Sequence, residues 1–290
     1  MTNPPEPVVQ ATGLVHGHSE CRFLDETIPV LSHVLALEVV NKSDKQVTMK
    51  HPNTGWLLIV HEGGADARDK PERNHYGVRV SNNNEVDNAY QYLLANKEKL
   101  RLKKVVKRKE RAGSYSLFFV EPGGNYWEIE SYENRAKNGL PEHIAYPWKT
   151  PLTEEQFPGR GYIPQALTHG TVECVNLAAS VRFYREGLGL DVITHVSTSK
   201  PHDIKHPSTP WYIASLEIPE KNRKYLTPWQ RYTVTVPSTA SLANAHERFD
   251  RCRAEFGITA LEEIQEIEVG QSFLVADLDR NWWEIAYLRN

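Results

Sequence analysis

Leu14-Val15-His16-Gly17-His18-Ser19-Glu20-Cys21 and Leu167-Thr168-His169-Gly170-Thr171-Val172-Glu173-Cys174 share Leu, His, Gly, Glu and Cys at equal spacing. Three further blocks recur downstream in the same order. His51-Pro52-Asn53-Thr54-Gly55-Trp56 matches His206-Pro207-Ser208-Thr209-Pro210-Trp211, and Tyr76–Val80 matches Tyr232–Val236 as Tyr-x-Val-x-Val. Asn125-Tyr126-Trp127-Glu128-Ile129 matches Asn281-Trp282-Trp283-Glu284-Ile285. The offsets are 153 residues (169 minus 16), 155 (206 minus 51) and 156 (232 minus 76, 284 minus 128). Chance does not keep order and spacing together, so the chain reads as one ancestral half written twice.

The boundary falls where Pro141, Pro147, Pro151, Pro158 and Pro164 interrupt any helix or central strand. We therefore expect a domain over 1–140, a proline-rich linker over 141–164 and a second domain over 165–290. Each half divides again. Leu14–Cys21 alternates as a strand, Thr27–Val34 reads as a short helix and Gly55–Val60 as a β-rich apolar run. Tyr76–Val80 opens the next unit. A helix from Asn84 to Leu100 follows, with an asparagine cap and Val86, Ala89, Leu93 and Leu94 at helical spacing; Ser116–Val120 and Tyr126–Ser131 are strands around a Pro122-Gly123-Gly124 turn. Four βαβββ units of this kind make an α+β fold.

A chain of 290 residues is long enough for two domains with developed cores. Its net charge of -3 is the balance of 34 basic and 37 acidic residues spread along the chain, so no global field favours nucleic acid or an anionic membrane. The basic run Lys103–Arg111 reads as a solvated turn and strand edge. Cys21, Cys174 and Cys252 are too scattered for a disulfide framework or a cysteine zinc site, which suggests a reducing, cytoplasmic setting. No basic, apolar leader opens the sequence and no apolar run reaches membrane-spanning length, so no membrane partner is expected.

Alternation in the first strand places Leu14, His16, His18 and Glu20 on one face. His75 opens the first strand of the second unit, and Glu128 sits between Trp127 and Ile129, where a carboxylate needs a partner. A divalent cation is one such partner.

Four units with His, His and Glu on the first, fifth and last strands of a pair resemble the vicinal oxygen chelate superfamily, which includes glyoxalase I, type I extradiol dioxygenases and fosfomycin-resistance transferases. The resemblance runs from about Val9 onward and is closest in layout to the two-domain extradiol enzymes. It implies that paired units curl into half-barrel cups with a metal held inside one of them by His16, His75 and Glu128. The second copy keeps His169 and Glu284 but has Arg231 in place of His75. A guanidinium cannot ligate a metal. Arg231 is expected instead to pair with Glu284 and leave the C-terminal cup without metal, a reversal of the usual extradiol arrangement.

Two imidazoles and one carboxylate leave three octahedral positions open, the set associated with Fe(II) and oxygen activation. Glyoxalase-type sites add a carboxylate from the last strand of the first unit, but that stretch here is Trp56-Leu57-Leu58-Ile59-Val60, with Glu62 only at its end. The expectation is an Fe(II)-dependent, extradiol-type dioxygenase whose partners are O2 and a catechol-like or related small molecule; a homo-oligomer is compatible with the sequence. Mn(II), Ni(II) or Zn(II) would fit a lyase, isomerase or transferase of the same superfamily. A metal-free antibiotic-binding protein is the third reading.

For proton transfer the candidates are His18, which shares the face of His16, together with His61 and Tyr115. His51 is repeated by His206 and so reads as structural. Phe118 stands where extradiol enzymes carry a tyrosine. Trp56, Phe118, Phe119, Tyr126 and Trp127 divide between pocket and core, with at least half of them expected in the core.

Overall fold

The computed structural model describes residues 6–111, 114–134, 151–195, 200–209 and 211–289. Strands β1 (Gly13–Cys21), β2 (Glu38–Lys42), β3 (Gln46–Lys50) and β4 (Leu57–Glu62) surround helix α1 (Leu24–Leu35) in the chain. The second unit is β5 (His75–Arg79), α2 (Asn83–Ala95), β6 (Lys104–Arg111), β7 (Ser114–Val120) and β8 (Tyr126–Ser131). The third is β9 (Ala166–Cys174), α3 (Leu177–Arg182), β10 (Asp191–His195), β11 (Lys200–Lys205) and β12 (Tyr212–Glu217). The fourth is β13 (Arg231–Thr235), α4 (Thr239–Arg251), α5 (Arg253–Phe256), β14 (Ala260–Leu261), β15 (Gln265–Ile267), β16 (Gly270–Ala276) and β17 (Trp282–Leu288).

The result is the expected α+β architecture, with two mixed sheets ordered β14-β16-β17-β13-β1-β4-β3-β2 and β10-β11-β12-β9-β5-β8-β7-β6. β6, which carries the basic run, is an edge strand. Helix α2 starts one residue before the expected span because the Asn82 side chain accepts the Glu85 N–H at 3.0 Å. It ends at Ala95, and turns carry the chain from there to Arg101. Among the described residues no helix is long and apolar enough to cross a membrane.

The compact units do not follow the halves of the sequence. One gathers the N-terminal stretch through His18 with Val172–His195 and Pro201–Asn290; the other is built on Ser19–Thr171. Thus the start of β1 pairs antiparallel with β13, and the start of β9 pairs antiparallel with β5. The expected division at 140 and 165 cuts across this exchange of first strands. Part of the expected linker, 141–150, lies outside the described residues, as does 135–140 before it.

Each unit repeats one aromatic stack. In the Ser19–Thr171 unit Tyr76 lies between Trp56 and Trp127 at 5.6 and 5.7 Å between ring centroids, and in the other Tyr232 lies between Trp211 and Trp283 at 5.6 and 5.8 Å. All six rings are buried, so Trp56 and Trp127 belong to the core. Burying aromatics of this size contributes several kcal/mol per unit.

Candidate metal centre

The β5–β9 ladder sets Gly77 opposite His169 and Val78 opposite Leu167, with a one-residue irregularity at Thr168 between them. The extra residue re-aims the chain, so that Leu167 enters the core while His169 turns to the face shared by His75. The same irregularity at Val15 separates buried Leu14 from His16 in the β1–β13 ladder. Simple alternation, which put Leu14 and His16 on one face, fails at this bulge.

On the parallel β5–β8 pair, Gly77 lies opposite Glu128 and Arg79 opposite Glu130. These registers bring together His75, Glu128 and His169, all buried, with one ligand atom of each within 4.8 Å of the others. Among the described residues this is the one such grouping of three or more His, Cys, Asp or Glu side chains. Nε2 of His75 and Nε2 of His169 each lie 3.1 Å from the same Glu128 oxygen, Oε2.

Both imidazoles are held from behind. His75 Nδ1 lies 2.7 Å from the Glu72 carbonyl and His169 Nδ1 lies 3.2 Å from Glu130 Oε1. A ring that donates from Nδ1 presents a lone pair at Nε2, so two nitrogen lone pairs and a carboxylate converge on one point, an arrangement that calls for a cation. Without a metal, a proton takes that role. Burial lowers the affinity of His169 for a proton, but Glu130 and Glu128 outweigh it and push its pKa up to about 9. Burial opposes ionisation of Glu128, yet His169 and His75 hold its carboxyl far below the usual range. Phe118, opposite Glu128 on β7, packs edge-on against His75 at 5.0 Å.

The sequence-derived ligand set is therefore only partly brought together. His75 and Glu128 meet, but His16 lies on β1 against β13, and His169 from the second half stands in the place expected of it. The exchange of first strands is the cause, since the two strands carry the same histidine.

The expected proton-transfer residues are not at this cluster. His18 belongs to the other unit, 2.9 Å from Thr233 Oγ1 and 3.3 Å from Glu284. Burial and then Arg231 lower its pKa, against the pull of Glu284. The Tyr115 hydroxyl donates to Asp87 of α2 at 2.8 Å, on the helix side of its sheet. His61 is buried on β4, in the other sheet. His51 accepts the Asn53 N–H and meets the Pro164 carbonyl, as His206 does with Ser208 and the Ala11 carbonyl, a repeated loop-fixing role.

The second set of equivalent positions has a different chemistry. Arg231 Nη2 donates to Glu284 Oε1 at 3.2 Å, as the sequence suggested, and Thr233 and Ser272 also donate to that carboxylate at 2.7 and 3.2 Å. Despite burial, His18, Arg231 and Thr233 hold Glu284 well below the ordinary carboxylate range. Burial, then His18, lower the pKa of His16 to about 4. A cavity of about 340 Å³ opens beside this pair, walled by Trp229, Ile267, Phe273 and Leu274 among others.

Two residues beside the triad escaped the sequence reading. Glu130 and Arg79 form a fully buried ion pair at 2.7 Å; Glu130 lies one strand period beyond Glu128, and Arg79 lies two periods beyond His75 and opposite Glu130. Their two-residue spacing from Glu128 and Gly77 was the available signal.

No family model matches the sequence, and no curated protein matches it. Solved structures do. A candidate dioxygenase from Bacillus subtilis subsp. subtilis str. 168 superposes with a TM-score of 0.60 at 12% identity, covering 96% of this chain and 86% of that one. Glyoxalase I from Zea mays gives 0.59 at 12% identity over 96% and 92%, and a point mutant of that enzyme gives 0.61 at 12% over 94% and 92%. At such identities the likeness is one of fold, and the chain has the vicinal oxygen chelate fold.

Proposed function

We propose that this chain is a metal-dependent enzyme of the vicinal oxygen chelate type, with His75, Glu128 and His169 holding one divalent ion, and that its reaction is an extradiol-type oxygenation of a small substrate bearing adjacent oxygens. The observation that carries the reading is the convergence of two Nδ1-anchored imidazoles on one buried carboxylate oxygen. When bound, the metal supplies Lewis-acid positions for two substrate oxygens and, as Fe(II), one for dioxygen. The two Nδ1 hydrogen bonds keep both rings aimed inward, and Phe118 shields one side of His75 from water. Three protein ligands rather than four favour the oxygenase reading over a glyoxalase-like isomerase.

Anaerobic loading with Fe(II), followed by oxygen uptake measured with catechols and other vicinal-oxygen compounds, tests the proposal. Oxygen consumption coupled to ring cleavage is expected. Activity with Ni(II), Zn(II) or Mn(II) and no oxygen uptake would move the chain to the lyase, isomerase or transferase reading. A chain that binds small molecules equally well after Glu128→Gln would support a metal-free binding protein.

A further inference from the structure

The duplicated sequence contains its own control for the surroundings of the triad. In the β5–β8 register that carries His75 and Glu128, Arg79 faces Glu130; in the equivalent β13–β17 register, Thr235 faces Ala286. The aromatic stack is retained in both, so folding of the strand pair does not require an ion pair here.

We propose that Glu130, held in place by Arg79, is a positioning residue for the metal ligand His169. The inference rests on the metal-binding reading of the triad. Arg79 Nε and Nη2 donate to Glu130 Oε1 at 3.2 and 2.7 Å, and the Ser114 hydroxyl donates to Oε2 at 3.1 Å. The guanidinium carbon itself lies over Tyr132, 3.6 Å from the ring centroid, and Arg79 is fully buried. The Glu130 carboxylate is thereby fixed with Oε1 3.2 Å from His169 Nδ1. Thr168 Oγ1 lies 3.2 Å from both that nitrogen and the Gly77 carbonyl and 3.4 Å from Glu130 Oε1, beside the same contact.

The chemistry follows from valence. A neutral imidazole carries one N–H, and a carboxylate at Nδ1 keeps it there, so the Nε2 lone pair faces Glu128. A second carboxylate so close to Glu128 would repel it, and Arg79 supplies the compensating charge. Removing Arg79 alone would strand Glu130, whereas replacing both removes the relay without leaving a buried charge.

The test is titration of the full chain with Co(II) alone, read by its d–d absorption and by the exchangeable, metal-shifted imidazole N–H resonances. Wild type should bind one Co(II) and show two such resonances, from His75 and His169. Arg79→Met/Glu130→Met should bind Co(II) roughly 10- to 100-fold more weakly. It should keep the slow-exchanging resonance of His75, whose partner is the Glu72 carbonyl, and lose that of His169. A Thr168→Val variant, which keeps Arg79 and Glu130 but removes the Thr168 oxygen beside His169 Nδ1, should keep both resonances; loss of the His169 resonance there would make Thr168 and not Glu130 the group that positions the ring. If the double variant binds Co(II) as wild type does with both resonances intact, Glu130 does not position His169. If wild type itself binds no Co(II), the triad reading fails and this inference with it.

Discussion

Gly77 lies directly opposite His169 in the β5–β9 ladder, and a Cβ on Gly77 would fall inside the van der Waals envelope of the imidazole. The ring occupies the space that a side chain would fill, which is the reason a glycine stands in the middle of a buried strand. At the matching place in the other ladder Thr233 faces His16, and there His18 rather than His16 makes the hydrogen-bond contact with the carboxylate. Gly77→Ala should therefore push His169 off the triad. A stability loss of about 1–3 kcal/mol is expected from overpacking, with a larger fractional loss in metal affinity; chemical denaturation and metal titration of the same sample separate the two. Wild-type metal affinity in a folded Gly77→Ala protein would contradict the close-approach argument.

Glu128→Gln should abolish metal binding, because the amide leaves two neutral nitrogens and no anionic ligand to compete with water. Folding should survive, since the side chain still has two imidazoles to bond. Metal content after dialysis is the measurement.

Arg231→Ala removes the cation from a mostly buried pair with Glu284. A loss of about 3 kcal/mol is expected, at the lower end for a broken buried pair because Thr233, Ser272 and His18 still bond the carboxylate. Metal stoichiometry should not change. Denaturant unfolding read beside metal content checks both halves of the statement.

Proton competition gives a pH dependence. His169 has its pKa raised from 6.5 to about 9, chiefly by Glu130 acting against burial, so below that range a metal must displace a proton. Metal affinity should rise as pH is taken from 6.5 towards 9 and level off above it. The sign is opposite for the metal-free fold: a raised pKa contributes stability that is complete below 6.5 and lost as pH rises through 9. Unfolding of chelator-treated protein across this range should show decreasing stability.

Much of the architecture was legible because it is periodic. The four repeated blocks, the Asn-capped helix of the second unit and the aromatic-rich strands each carry a local signal, and the structure has the α+β fold they imply. His75 and Glu128, singled out by their strand positions, are two of the three residues that the structure brings together. His169 was not singled out, because β1 and β9 carry one and the same motif, and a sequence repeated twice does not say which copy pairs with which partner strand. Gly77 against Thr233 was a readable asymmetry, since a glycine in a buried strand marks the ladder in which another group comes close. Bulges at Val15 and Thr168 hid the facing of the histidines, as an extra residue reverses every side chain beyond it. Nothing in the sequence tells which way Tyr115 faces; in the structure its hydroxyl meets Asp87 of α2.

Metal stoichiometry of His169→Ala beside His16→Ala is the most direct test of the exchanged-strand centre, with His75→Ala as the common reference. The structure predicts that His169→Ala loses bound metal as completely as His75→Ala, while His16→Ala retains about one ion per chain at near wild-type affinity. Loss of metal from His16→Ala with retention in His169→Ala would mean that the first strand of each half serves its own half, and the centre described here would be wrong.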